Sequence, residues 1–132
     1  MGRKGDHMRI TDLLDKNSIC LDASPADKTE ALNQIVSLMG KSGKINDIEA
    51  YRKQVFLREE ESTTGIGEGI AIPHGKCDAV TKPGLAAMVV KDGVDFDSLD
   101  GEPVTLLFLI AAPNTEDNVH LDVLSKLSVL MM

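Results

Sequence analysis

At 132 residues, 42% of them hydrophobic and 27% charged, the chain is long enough for one domain with a real core. A chain near 150 residues buries about 70% of the surface its unfolded form exposes. The net charge of −7, with no tryptophan and only Tyr51, Phe56, Phe96 and Phe108 as aromatics, speaks against nucleic acid, whose binders show basic patches and stacking rings. No apolar run reaches the roughly 18 residues that cross a bilayer. The two cysteines, Cys20 and Cys77, form no close pair, so a reducing cytoplasm is the simpler setting.

Residues 1–8 read as a leader left by cloning or a disordered N-terminus. They lack the apolar stretch of a signal peptide, and Asp6 stands where a myristoylation signal wants Ser or Thr. His7 is set aside with them, and the folded domain is expected over residues 9–132. Ile10, Leu13 and Leu14 predict a short helix, and residues 19–21 a short strand. A longer helix then begins, with Ser24 able to cap it, Pro25 suited to its first position and Asp27 matched to its positive end. Leu32, Ile35, Val36 and Met39 follow at helical spacing, and Gly40 can stop the helix.

A second helix starts at Asn46 or Asp47, with Ile48, Tyr51 and Val55 on its inner face. Arg58 falls on the same stripe and reads most simply as a solvated cap for the last carbonyls. The acidic run Glu59-Glu60-Glu61 reads as a solvated helix end. Strands are expected at residues 69–73, at 85–90 ending in the turn signal Asp92-Gly93, and at 104–112. The last is the longest apolar run, broken only by Thr105, and suits a central strand. Between them Asp100, Gly101 and Pro103 mark a turn. A final helix is expected from about Asn118, with His120, Leu124, Leu127 and Met131 as its stripe. That pattern reaches Met132 without a cap, which predicts a domain trimmed at its C-terminus.

The stretch from Ser62 to Lys76 carries the chemistry. Gly65, Gly67 and Gly69 alternate there and permit backbone conformations closed to other residues. Pro73 fixes its own φ and biases Ile72 toward extended backbone. A strand should therefore deliver His74 at its end, with Gly75 letting the chain turn away and Lys76 adding a positive charge. Imidazole has a reference pKa of about 6.5, so a nucleophilic neutral ring is available near neutral pH. An ordinary surface turn is the alternative reading of His74. His120 falls in the first turn of the last helix, where unpaired N–H groups favour anions, and it could equally be a core-edge residue above Leu124. Ile70 and Ile72, two apart, should share a buried face. Ile66 is left as either a core residue or an exposed docking contact.

Weaker constellations are a Cys–His pair from His74 and Cys77, and a zinc site from His74, His120 and Glu68. The zinc reading lacks the usual short-spaced ligand pair. The glycine spacing matches neither dinucleotide nor P-loop motifs, and there is no Gly-x-Ser-x-Gly elbow.

The run Thr63-Thr-Gly-Ile-Gly-Glu-Gly-Ile-Ala-Ile-Pro-His-Gly-Lys76 resembles the active-site signature of enzyme IIA domains of the bacterial sugar phosphotransferase system, in the fructose–mannitol class. The likeness continues through Lys82-Pro-Gly-Leu-Ala-Ala-Met-Val-Val90, Gly93-Val-Asp-Phe96, Leu107-Phe-Leu-Ile-Ala-Ala-Pro113 and His120-Leu-Asp-Val-Leu-Ser-Lys-Leu127. It implies an α/β fold: a single domain with a mixed β-sheet and α-helices packed on both faces. It also implies a cytoplasmic phosphotransferase without metal or organic cofactor and without membrane insertion. His74 would take a phosphoryl group from HPr and pass it to a cysteine of an enzyme IIB domain. His120 matches the family's second histidine, Arg58 an arginine near the active site of mannitol-type members, and Glu68 an acidic residue there. The stretch from residue 82 to 105 looks most like the fructose branch. The competing readings are a regulatory phospho-switch, either nitrogen-related IIA or a IIA-like domain of a transcription regulator, and a stand-alone hydrolase or metal enzyme using His74.

Overall fold

The computed structural model describes residues 13–115 and Val123. Among them are two helices, α1 (Lys28–Gly40) and α2 (Ile48–Glu61), and six strands. The strands are β1 (Leu14–Cys20), β2 (Gly65–Gly67), β3 (Ile70–Ala71), β4 (His74–Cys77), β5 (Gly84–Val94) and β6 (Val104–Pro113). They form one mixed sheet in the order β1-β5-β6-β3-β2, with β4 also paired to β6. β6 runs antiparallel to β5 and parallel to β3 and β4. Its apolar run is therefore that of a central strand covered on both faces. None of the described helices is long and apolar enough to cross a membrane.

Side chains alternate across β5 and β6, which divides the core in two. Ala86, Met88, Val90, Leu107, Leu109 and Ala111 join the residues of α1 and α2. Leu85, Ile110 and Ala112 join Leu13, Ile72 and Val123 on the other side. Leu13 and Val123 are themselves helical, so helical residues cover both faces of the sheet, as the expected fold class requires.

Both helices start on an aspartate. Asp47 accepts from the Ala50 amide at 3.2 Å, as the sequence predicts. In α1 the cap is Asp27, accepting from the Glu30 amide at 2.8 Å, and Ser24 and Pro25 lie outside the helix. The predicted inner stripe of α1, Leu32, Ile35, Val36 and Met39, is fully buried. Each such side chain contributes roughly 1.5–3 kcal/mol, against about 0.5–2 kcal/mol for a cap, so packing rather than capping holds this helix in place. Tyr51 and Val55 anchor α2, and the Tyr51 hydroxyl donates to the Ile110 carbonyl at 2.7 Å. That bond ties the helix to the middle of β6.

Several expectations are corrected. Leu14 opens β1 rather than continuing a helix, and β1 is longer than residues 19–21. It is an edge strand with little burial, so its apolar alternation is faint. β5 runs through Asp92-Gly93 to Val94, and Gly93, at φ +79°, marks an irregularity in the pairing with β6, not an end. The acidic run is not wholly solvated, since Glu59 is only 7% exposed. The final helix expected from Asn118 lies outside the described residues apart from Val123.

The predicted strand at residues 69–73 is β3 alone, preceded by the unpredicted β2. Glu68 and Gly69 join the two in a turn, both at positive φ, the conformation that suits the twist of paired strands. Ile72 and Pro73 then interrupt the ladder, because proline has no N–H to give. The register nonetheless persists: Ala71 pairs with Leu107 and His74 with Ile110. His74 therefore opens a strand instead of ending one.

Gly75 does not turn the chain away. It lies within β4, and a Cβ there would sit 3.0 Å from both Tyr51 Cε1 and Val55 Cγ2. Glycine is needed because α2 lies directly on the strand. Gly75→Ala should push α2 outward and cost about 1–3 kcal/mol, as overpacking does. Thermal melts should show the loss, and an unchanged midpoint would mean that the helix is not seated this tightly.

Candidate active site

His74 stands half-buried at the first position of β4. Its Nδ1 lies 3.2 Å from the Ile72 carbonyl oxygen. A carbonyl can only accept, so Nδ1 carries the proton and the lone pair of the neutral ring is on Nε2. Burial pushes the His74 pKa below its ordinary 6.5; the Ile72 bond opposes this, Arg58 adds to the lowering, and Glu59 and Glu61 pull the other way. The ring thus stays neutral to lower pH than a free histidine. Because the unfolded chain binds this proton more readily, the associated stability is present above the unfolded pKa and is lost as pH falls through the folded one. Chemistry that needs neutral His74 should show its acid limb below pH 6.5. A limb at or above that value in a pH–rate profile would contradict this.

His74 opens into a cleft of about 750 Å³ between β4 and the last turns of α2, lined by Leu57, Arg58, Glu61 and Lys76 among others. Arg58 does what a helix-end cation does, with Nη1 donating to the Ser62 carbonyl at 3.0 Å, and it lines the cleft as well. The structure thus brings His74 and Arg58 together. It places Glu68 elsewhere, exposed in the β2–β3 turn, with its amide donating to Asp100 Oδ2 at 2.9 Å. Glu68 is not among the residues lining the cleft. His120 lies outside the described residues.

Cys77, at the other end of β4, packs against the core shared by α1 and α2. Strand alternation sends its side chain to the opposite face from His74, which argues against a Cys–His pair. Ile70 and Ile72 share the second core, as their spacing predicts, whereas Ile66 is 50% exposed. Leu57, 44% exposed on the cleft wall, was not singled out by the sequence. Nor was Glu59, although it continues the four-residue spacing of Tyr51 and Val55. A charged residue at a buried stripe position was the signal available.

A family model described as "Phosphoenolpyruvate-dependent sugar phosphotransferase system, EIIA 2" matches residues 12–132. The chain is 47% identical over 125 residues to the PTS system fructose-specific EIIABC component of Bacillus subtilis, covering 95% of this chain and 20% of that protein. It therefore spans about a fifth of that relative's length. Among solved structures, the nitrogen regulatory protein IIA-Ntr of Neisseria meningitidis aligns with a TM-score of 0.81 at 32% identity, over 89% of this chain and 80% of that one. The Escherichia coli enzyme IIAMTL, solved in complex with phosphorylated enzyme IIBMTL, aligns with a TM-score of 0.77 at 29% identity, over 90% and 83% of the two chains. With the family model matched along nearly its whole length, the chain belongs to the EIIA 2 family of the phosphoenolpyruvate-dependent sugar phosphotransferase system.

Proposed function

We propose that this domain carries a phosphoryl group on Nε2 of His74, accepting it from phosphorylated HPr and passing it to a cysteine of an enzyme IIB domain during sugar uptake. The observation that carries the reading is the His74 ring itself. Its Nδ1 is held by the Ile72 carbonyl, and the ring borders an open cleft beside a guanidinium. The Nε2 lone pair forms the new P–N bond as the P–N bond to the donor histidine breaks. Such transfer asks mainly for positioning and for donors to the equatorial oxygens. Arg58 is one donor in this reading, and His120 is the second by family resemblance. Glu68, exposed and away from the cleft, is assigned to partner docking rather than to the chemistry. No metal or organic cofactor is required.

The exposed Leu57 on the cleft wall suits a surface that HPr and enzyme IIB use in turn. The mannitol relative solved with its phosphorylated IIB supports the second partner, and the B. subtilis relative supports fructose as the sugar. A cytoplasmic setting follows from the partners. Incubation with phosphoenolpyruvate, enzyme I and HPr should add one acid-labile phosphoryl group, read by mass spectrometry, and enzyme IIB should then remove it. No mass gain would sink the carrier reading. The likeness to IIA-Ntr favours a second reading, a regulatory phospho-switch. A domain that is phosphorylated but never discharged by any enzyme IIB would support that one instead.

A further inference from the structure

Glu59 is the only buried charged residue among those described. Its Oε2 accepts from the Thr64 amide and its Oε1 from the Thr64 hydroxyl, each at 2.7 Å. Lys28 Nζ lies 2.9 Å from Oε2 and also sits over the Phe96 ring. A buried ion pair adds little net stability once desolvation is counted, so Lys28 alone is a weak reason for a carboxylate here. The contacts beyond Thr64 supply a better one. The Thr64 carbonyl accepts from the Ile72 amide at 3.0 Å, and the Ile72 carbonyl accepts from His74 Nδ1 at 3.2 Å. Pro73, between them, has a fixed φ, and its carbonyl accepts from the Ile110 amide at 3.1 Å. The segment that carries His74 is therefore held from two sides. The β6 side is backbone alone. On the other side, Thr64 is clamped by the side chain of Glu59.

The geometry points to Glu59 as a positioning residue for phosphoryl transfer: by clamping Thr64 it fixes Ile72, and through Ile72 the pose and Nδ1-protonated tautomer of His74. This rests on His74 being the acceptor. The test separates reach from charge. Glu59→Gln keeps the reach, its amide oxygen accepting from the Thr64 N–H and its amide nitrogen donating to the Thr64 hydroxyl, but it loses the charge facing Lys28. Glu59→Asp keeps the charge and withdraws it by one methylene. The readouts are the ¹⁵N–¹H imidazole pattern of His74, recorded without any partner, and the rate of phosphoryl acceptance from HPr.

Glu59→Gln should leave both near wild type. Glu59→Asp should shift the imidazole away from the Nδ1-protonated tautomer and slow acceptance about tenfold, or about 1.4 kcal/mol. A wild-type imidazole pattern in folded Glu59→Asp would overturn the inference. So would a Glu59→Gln variant as disturbed as Glu59→Asp, since the charge and not the relay would then matter. Should Glu59→Asp fail to fold, Thr64→Val, which deletes the hydroxyl arm alone, takes its place in the same spectrum. A shifted imidazole there supports the relay, and a wild-type one overturns it. A wild-type protein that takes no phosphate would refute the carrier reading and leave the spectral result standing.

Discussion

His74→Ala should fold and accept no phosphoryl group from phosphorylated HPr. Among the described residues, no second histidine or cysteine lines the cleft: Cys77 packs against the core under the helices, and in β4 it faces away from His74. The ring that is lost is half-buried, borders the cleft and belongs to neither core. The packing of Tyr51 and Val55 in one core and of Ile110 in the other does not depend on it. His74→Gln is the companion variant, because it keeps polarity and much of the volume while removing the nucleophilic nitrogen. Both should melt cooperatively and both should show no mass gain in the presence of phosphoenolpyruvate, enzyme I and HPr. Acceptance at the normal rate by either variant would mean that another residue is the carrier.

Which parts of the molecule the sequence made legible follows from how each residue is used. α1 was plain because four of its residues repeat at helical spacing and all four are buried. β6 was plain because a strand covered on both faces must be apolar throughout. β1 and β2 were obscure for opposite reasons. β1 is a polar edge strand, while β2 is two glycines around an isoleucine that stays half-exposed. His74 was expected at the end of a strand through Pro73, whereas the chain only skips a rung at Ile72 and Pro73 and resumes its register on β6 with His74. Gly75 looked like a turn residue, and it is instead the gap into which α2 fits. His74 stood out by its setting, but the meeting of His74 and Arg58 was legible only through family resemblance. They are sixteen positions apart and belong to different elements. Glu59 was hidden by its neighbours: inside an acidic run it looked solvated, although its spacing from Tyr51 and Val55 placed it on the buried stripe.

Arg58→Ala should slow phosphoryl acceptance by His74 roughly ten- to hundredfold, because a charge-assisted contact to the transferring group stabilises by about 1.5–3 kcal/mol. Stability should change far less, since the bond from Arg58 to the Ser62 carbonyl is exposed. Arg58→Lys should recover only part of the rate. A guanidinium has several N–H donors in a rigid fork, so one can hold Ser62 while others reach phosphate oxygens. An ammonium is a single point charge and must serve one or the other. A second effect has to be separated from this one. The Arg58 charge helps to depress the His74 pKa, so its removal should move the acid limb of the rate profile upward. At about pH 8 a histidine near its reference pKa is almost wholly neutral, and titration no longer distinguishes the two proteins. A deficit that persists there belongs to the transition state. A deficit that disappears there belongs to the protonation of His74, and Arg58 would then have no part in the transfer itself.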